Sequence, residues 1–167
     1  MNNTITKKVT IDVNRQYLWK IISAPGHLHL FHPFCKNNDV LKWDKEKSID
    51  FIEYYNKKVL KRKFFDWEEE VGYKLIINDL KKDIAEVHWD LFYPRKSKID
   101  LSIKVQILDT ALKSFPNTIN KIILRTYVLP KLGTYLDSVL CGIKYCSETG
   151  NKVSKNQFGY NSMFSSR

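Results

Sequence analysis

The chain has 167 residues, 43% hydrophobic and 13% aromatic, with a formal net charge of +10. That length points to one domain with a sizeable core, and the apolar fraction is that of an ordinary globular protein. No apolar run approaches the ~20 residues of a membrane-spanning helix, and the opening MNNTITKKVTID alternates too strictly for a signal peptide, so a cytoplasmic protein is expected. Cys35, Cys141 and Cys146 form no Cys-x-x-Cys pair and are odd in number, which fits small buried hydrophobes in a reducing compartment better than a disulfide framework.

The first strand is marked by Ile5, Val9, Ile11 and Val13 alternating with Thr6, Lys8, Thr10 and Asp12. Asn14 then offers a side-chain oxygen as a helix N-cap, and Leu18, Ile21 and Ile22 form an apolar stripe at helical spacing. Pro25-Gly26 ends that helix. A second short helix is predicted over His27–Phe31, stopped by Pro33.

Six strands are predicted next, near 38–44, 48–55, 58–69, 71–79, 83–93 and 97–108. The last two are the clearest, because Ala85, Val87, Trp89, Leu91 and Tyr93, then Ile99, Leu101, Ile103, Val105 and Ile107, alternate with polar residues. Connections this short force antiparallel neighbours. One apolar and one polar face imply a sheet covered on one side.

The cover is a long C-terminal helix. Ile119, Ile122, Ile123 and Tyr127 carry helical spacing to Pro130, which should kink or restart the helix. Leu132, Leu136, Val139, Leu140 and Ile143 continue it, and Gly150 terminates it. The domain is expected over 1–150. The polar tail 151–167 carries Phe158, Tyr160 and Phe164, which is not linker composition and allows it to pack back on the body.

This order of elements, with the phrases VTIDVNRQYLWKIISAPGHLHLFHPF, NNDVLKW and YLDSVLCGIKYCSETG, resembles the START-like, helix-grip (SRPBCC) superfamily and within it the bacterial polyketide cyclase/dehydrase-like subgroup. The resemblance covers roughly 3–150. It implies an α+β fold in which an antiparallel sheet of about seven strands wraps a long C-terminal helix, with two short helices after the first strand. It implies a cavity between sheet and helix, but no particular reaction, since the superfamily includes lipid carriers, hormone receptors, cyclases and ring-hydroxylase subunits.

The cavity candidates are Trp19, Phe51, Glu53, Tyr55, Phe65, Trp67, Tyr73, Trp89 and Tyr93 from the sheet side and first helix, with Leu136 and Leu140 from the last helix. Core and cavity wall share the same apolar chemistry, so some of these aromatics are expected to fill the space and others to line it. In SIDFIEYY the set Ile49, Phe51, Glu53 and Tyr55 competes with Ile52 and Tyr54 for the inner face. An inward Glu53 would be a carboxylate with a raised pKa in a greasy pocket, and an inward Arg62 would pair with a ligand carboxylate or phosphate.

His27, His29 and His32 invite a zinc reading, but a site needs three or four converging ligands, and family-type packing explains the phrase better. No metal and no cofactor are expected. His88 lies between Glu86 and Asp90 on the polar face of its strand and reads as a surface charge cluster. Nucleophile elbows, phosphate loops and dinucleotide fingerprints are missing from the sequence.

The basic clusters Lys57–Lys63 and Arg95–Lys98 read as solvated strand edges and hairpin tips. Nucleic acid and an anionic membrane surface suit them about equally, and the membrane fits lipid handling better. The leading expectation is binding, transport or sequestration of a hydrophobic or amphipathic small molecule (lipid, isoprenoid or polyketide-like), entering near Pro25–Pro33 or Pro94–Lys98. The alternatives are a cyclase/dehydrase-type enzyme using the same cavity, and a basic-surface protein that binds RNA or membrane.

Overall fold

The computed structural model describes residues 3–95, 97–112 and 117–167. Lys96, part of the second basic cluster, lies outside them. Strand β1 (Thr4–Ile11) leads to helices α1 (Arg15–Ser23) and α2 (Leu28–Phe31). Six strands follow: β2 (Cys35–Lys42), β3 (Ile49–Tyr54), β4 (Val59–Glu68), β5 (Gly72–Asn78), β6 (Asp83–Arg95) and β7 (Lys98–Ile107). They form one antiparallel sheet in the order β1-β7-β6-β5-β4-β3-β2. This is the α+β helix-grip architecture expected from the sequence.

Asn14 caps α1 as predicted, its side-chain oxygen accepting from the backbone N–H groups of Gln16 and Tyr17. The final helical stretch begins with α3 (Asn117–Ile123), passes through a π turn (Leu124–Val128) and continues as α4 (Leu129–Thr149). Pro130 explains the π turn. Its ring would clash with the preceding turn of a regular helix and it has no N–H to give. The Leu129 N–H bonds back to the Leu124 carbonyl, leaving Pro130 in the first turn of α4. Gly150, in the left-handed region at φ 73°, ends the helix by donating its N–H to the Cys146 carbonyl.

The inner face of the sheet carries Ile11, Ile52, Leu60, Phe64, Tyr73, Leu75, Val87, Leu91, Leu101 and Ile103, all buried. From the other side Leu132, Leu136, Val139, Leu140 and Ile143 of α4 close onto them. Gly142 lets the helices approach: a Cβ there would lie 2.1 Å from the Phe31 carbonyl oxygen. Cys35 and Cys146 are buried as small hydrophobes, whereas Cys141 is exposed.

The tail packs onto this body. Val153 N–H bonds the Leu30 carbonyl and Asn156 N–H the Pro33 carbonyl. Asn56 Nδ2 donates to the Met163 carbonyl, and Val153 and Phe164 are buried in the common core. A boundary at residue 150 therefore divides the chain but not its core.

Candidate functional site

Between the inner face of the sheet and α4 lies a cavity of about 270 Å³. Its wall is mostly apolar, with Ile52, Leu60, Leu75, Val87, Ile103 and Leu136 among the lining residues. The tail completes the wall with Met163 and Phe164.

Aromatic residues fill the neighbouring end of the core. Trp19, Trp43, Phe64, Trp67 and Tyr73 pack ring against ring, with centroids 5.1–6.2 Å apart. Their polar handles tie the sheet to the end of α1: Tyr73 Oη donates to the Ile22 carbonyl at 2.9 Å and Trp43 Nε1 to the Ser23 carbonyl at 3.1 Å. Trp89 stacks on Tyr73 on one side and lines the cavity on the other.

The sequence candidates therefore separate. Trp89 and Leu136 stand on the cavity wall. Trp19, Trp67 and Tyr73 form the aromatic plug, and Leu140 is core. Tyr93 is bound at the rim of the fold, with its hydroxyl donating to the Glu70 carbonyl and the Arg15 guanidinium over its ring at 4.2 Å.

Phe51, Glu53, Tyr55 and Phe65 require correction, because none of them lines the cavity. The inward set on β3 is Asp50, Ile52 and Tyr54, all buried, so the intervening residues face outward. Glu53 pairs with Lys36 at 2.7 Å, and the Tyr55 ring lies under Lys155. On β4 the inward set is Leu60, Arg62 and Phe64, which leaves Phe65 outward. A bulge between Phe65 and Glu68, with Asp66 at φ 47°, then shifts the phase and brings Trp67 to the inner side.

Arg62 points inward, yet it is not free to meet an anion. Its Nε donates to Asp50 Oδ1 at 2.7 Å and its Nη2 to Asp50 Oδ2 at 2.5 Å, a bidentate pair buried at both ends. Asn38 Nδ2 donates to the same Oδ2 at 2.9 Å. Burial alone would raise the Asp50 carboxyl, but the Arg62 charge and these hydrogen bonds outweigh it and hold the pKa below the usual range. This removes Arg62 from the solvated basic cluster where the sequence placed it.

The three histidines of HLHLFHPF have separate partners. His27 Nδ1 donates to the Ala24 carbonyl at 2.6 Å, leaving Nε2 to accept from Arg62 Nη2 at 3.4 Å. His29 Nε2 accepts from the Asn38 N–H. His32 lines the cavity; its Nδ1 accepts from the Phe34 N–H at 3.2 Å and its Nε2 lies 2.9 Å from Tyr135 Oη. Burial, then the Arg62 charge, depresses the pKa of both His27 and His32 from 6.5 to about 3. His88 stays on the outer face, 2.6 Å from Glu86 Oε1.

One polar group of the wall was not read from the sequence as a unit. Tyr54 and Tyr135 hydroxyls stand 3.1 Å apart beside His32, and all three residues line the cavity. Burial raises both phenols, Tyr135 to about 12 and Tyr54 well above its ordinary value. The available signal was helical spacing: Tyr135 lies three residues from Leu132 and one before Leu136, on the inner face of α4.

Besides Tyr135, the partly exposed wall residues gather at one end: Ile77 and Ile84 at the β5–β6 turn, Ile107, Ala111, Val128 and Met163, with exposed Lys58 beside them. The cavity opens at that end. The expected entries at Pro25–Pro33 and Pro94–Lys98 are thereby corrected, since Leu28 and Phe31 of the first are buried and the second caps the opposite end of β6 and β7. No helix of the described residues is long and apolar enough to cross a membrane.

No family model matches the sequence, and no curated protein matches it at a significant level. Solved structures do. DynU16, from the dynemicin biosynthetic locus, superposes with a TM-score of 0.67 at 9% identity over 93% of this chain and 52% of its own. The di-domain ARO/CYC StfQ of the steffimycin pathway gives 0.63 at 5% over 87% of this chain and 45% of its own. This chain thus spans about half of each. Norcoclaurine synthase from Thalictrum flavum gives 0.55 at 12% identity over 84% of this chain and 92% of its own. At such identities the likeness is one of fold, and together with the sheet order and the gripped C-terminal helix it shows that this chain has the helix-grip fold that these structures share.

Proposed function

We propose that this protein binds a hydrophobic or amphipathic small molecule in the cavity between sheet and α4. The observation that carries the reading is the cavity itself, about 270 Å³ of space with an apolar wall and a few polar groups at fixed positions. Small-molecule sites have this make-up, and the volume stands just below their usual range of roughly 300–1,000 Å³. A single chain or compact ring system fits better than a two-chain lipid. Burial of the ligand's apolar surface supplies the affinity, about 25 cal/mol per Å² before the costs of association.

Loading from an anionic membrane surface belongs to the same reading. Helix α3 and the π turn expose Ile119, Ile122, Ile123 and Tyr127 close to Lys121 and Arg125, between Ala111 and Val128 of the cavity wall.

A cyclase/dehydrase-type enzyme is the second reading, and the Tyr54–Tyr135–His32 group favours it, because a phenolic donor in a mostly apolar cavity can polarise a carbonyl. Native mass spectrometry of gently purified protein, followed by solvent extraction, tests the binding reading. A retained small molecule in stoichiometric amount is expected. Empty protein that also fails to bind hydrophobic fluorophores would overturn it.

A further inference from the structure

The polar side of the cavity can be counted proton by proton. Because the Phe34 N–H donates to His32 Nδ1, the neutral imidazole carries its proton on Nε2 and gives it to Tyr135 Oη. The two phenols make one further hydrogen bond between themselves. Three protons, one on Nε2 and one on each hydroxyl, thus serve two contacts. Whichever way the tyrosine pair is oriented, one hydroxyl proton has no acceptor among the described residues.

The two hydroxyls make no other hydrogen bond among the described residues. Among the described residues no carboxylate lines the cavity. Arg62, the other buried polar wall residue, is a donor, and its charge is already matched by Asp50. A donor left unmade in an apolar site is costly, roughly 1–3 kcal/mol in general, and a ligand acceptor would relieve that cost. A buried anion would find no uncompensated cation there, since Lys58, at the open end, is exposed.

We infer that the cavity selects an uncharged apolar molecule bearing a carbonyl oxygen, a ketone or ester, which accepts the unspent proton of the Tyr54–Tyr135 pair. This deepens the binding reading and rests on it. The raised pKa of both phenols agrees, since each stays protonated and able to donate at neutral pH.

The test uses three probes of similar length on the full chain: nonane, methyl heptyl ketone and nonylammonium. Calorimetry reads affinity, and infrared spectroscopy reads the carbonyl stretch of the bound ketone. The ketone is expected to bind roughly tenfold more tightly than the alkane, as one buried hydrogen bond allows, with its stretch moved to lower frequency than in hexane. Nonylammonium, which can only donate, should bind worst. In the Tyr54→Phe/Tyr135→Phe variant, alkane binding should persist and both the ketone preference and the frequency shift should vanish.

Equal binding of ketone and alkane with an unshifted stretch would overturn the inference while leaving the binding reading intact. A shift that survives in the double variant would overturn it too, by placing the carbonyl elsewhere. Failure of all three probes to bind would sink both.

Discussion

At the scale of single residues, the buried polar groups set how the fold responds to pH. His27 and His32 are held neutral, each donating one ring proton and accepting on the other nitrogen. Their pKa falls from 6.5 in the ordinary state to about 3 in the fold. Between those values the unfolded chain binds a proton at each imidazole that the folded chain refuses, so unfolding is favoured as pH drops. Stability is full above about pH 6.5 and is lost below it, at roughly 1 kcal/mol per pH unit for each imidazole. The depressed carboxyl of Asp50 acts in the same direction but lower, its contribution disappearing only as pH falls through its reduced folded pKa. Urea unfolding from pH 7 to pH 5 should therefore show a steadily falling midpoint, and His27→Gln combined with His32→Gln should flatten the slope. A midpoint independent of pH across that range would refute the neutral, buried assignment.

Among the elements, legibility followed the polarity of the inner face. Strands β6 and β7 place only apolar or small residues inward, so their alternation could be read directly from the sequence. On β3 and β4 the inner face carries Asp50 and Arg62, opposite one another in the sheet register, while Phe51 and Phe65 turn outward. A buried ion pair makes a period-two reading choose the wrong phase, and it is this phase that points Phe51, Glu53 and Tyr55 toward the cavity. The bulge at Asp66 hides the phase of Trp67 in the same way. Nothing local in the sequence announces that Tyr135 of α4 will meet Tyr54 of β3, because the contact exists only once the helix is gripped.

The helix contacts carry a prediction of their own. Gly142→Ala would drive a Cβ to 2.1 Å from the Phe31 carbonyl oxygen, a backbone atom that cannot rotate away. Overpacking of this kind costs about 1–3 kcal/mol. Gly133→Ala meets the ends of two side chains, Ile5 at 3.1 Å and Lys7 at 3.6 Å, which can shift. Urea midpoints should thus fall clearly for the first substitution and little for the second. Because α2 also carries Leu28, and His32 follows it, both on the cavity wall, the first variant should lose ligand affinity as well. Equal destabilisation by the two would mean that α2 and α4 are not in the close contact described.

Considered whole, the molecule combines a net charge of +10 with an apolar stripe beside the open end of its cavity. Nucleic acid would use the charge and leave the stripe in water. An anionic bilayer would use both, because exposed Ile119, Ile122, Ile123 and Tyr127 would enter the headgroup region while Lys121 and Arg125 met lipid phosphates and carboxylates. Each basic residue near such a surface is worth about 1 kcal/mol, screened beyond a Debye length of about 8 Å at physiological salt. Cosedimentation should therefore occur with vesicles of phosphatidylserine and phosphatidylcholine, fall with added salt, and be weak with phosphatidylcholine alone. Ile122→Asp with Tyr127→Asp puts two carboxylates into the stripe without touching the cavity wall. That variant should lose vesicle binding by tenfold or more and keep its affinity for a soluble ligand. Retained vesicle binding would move the contact to another basic face, whereas equal losses of membrane and ligand affinity would show that this end of the fold, and not a docking step, had been disturbed.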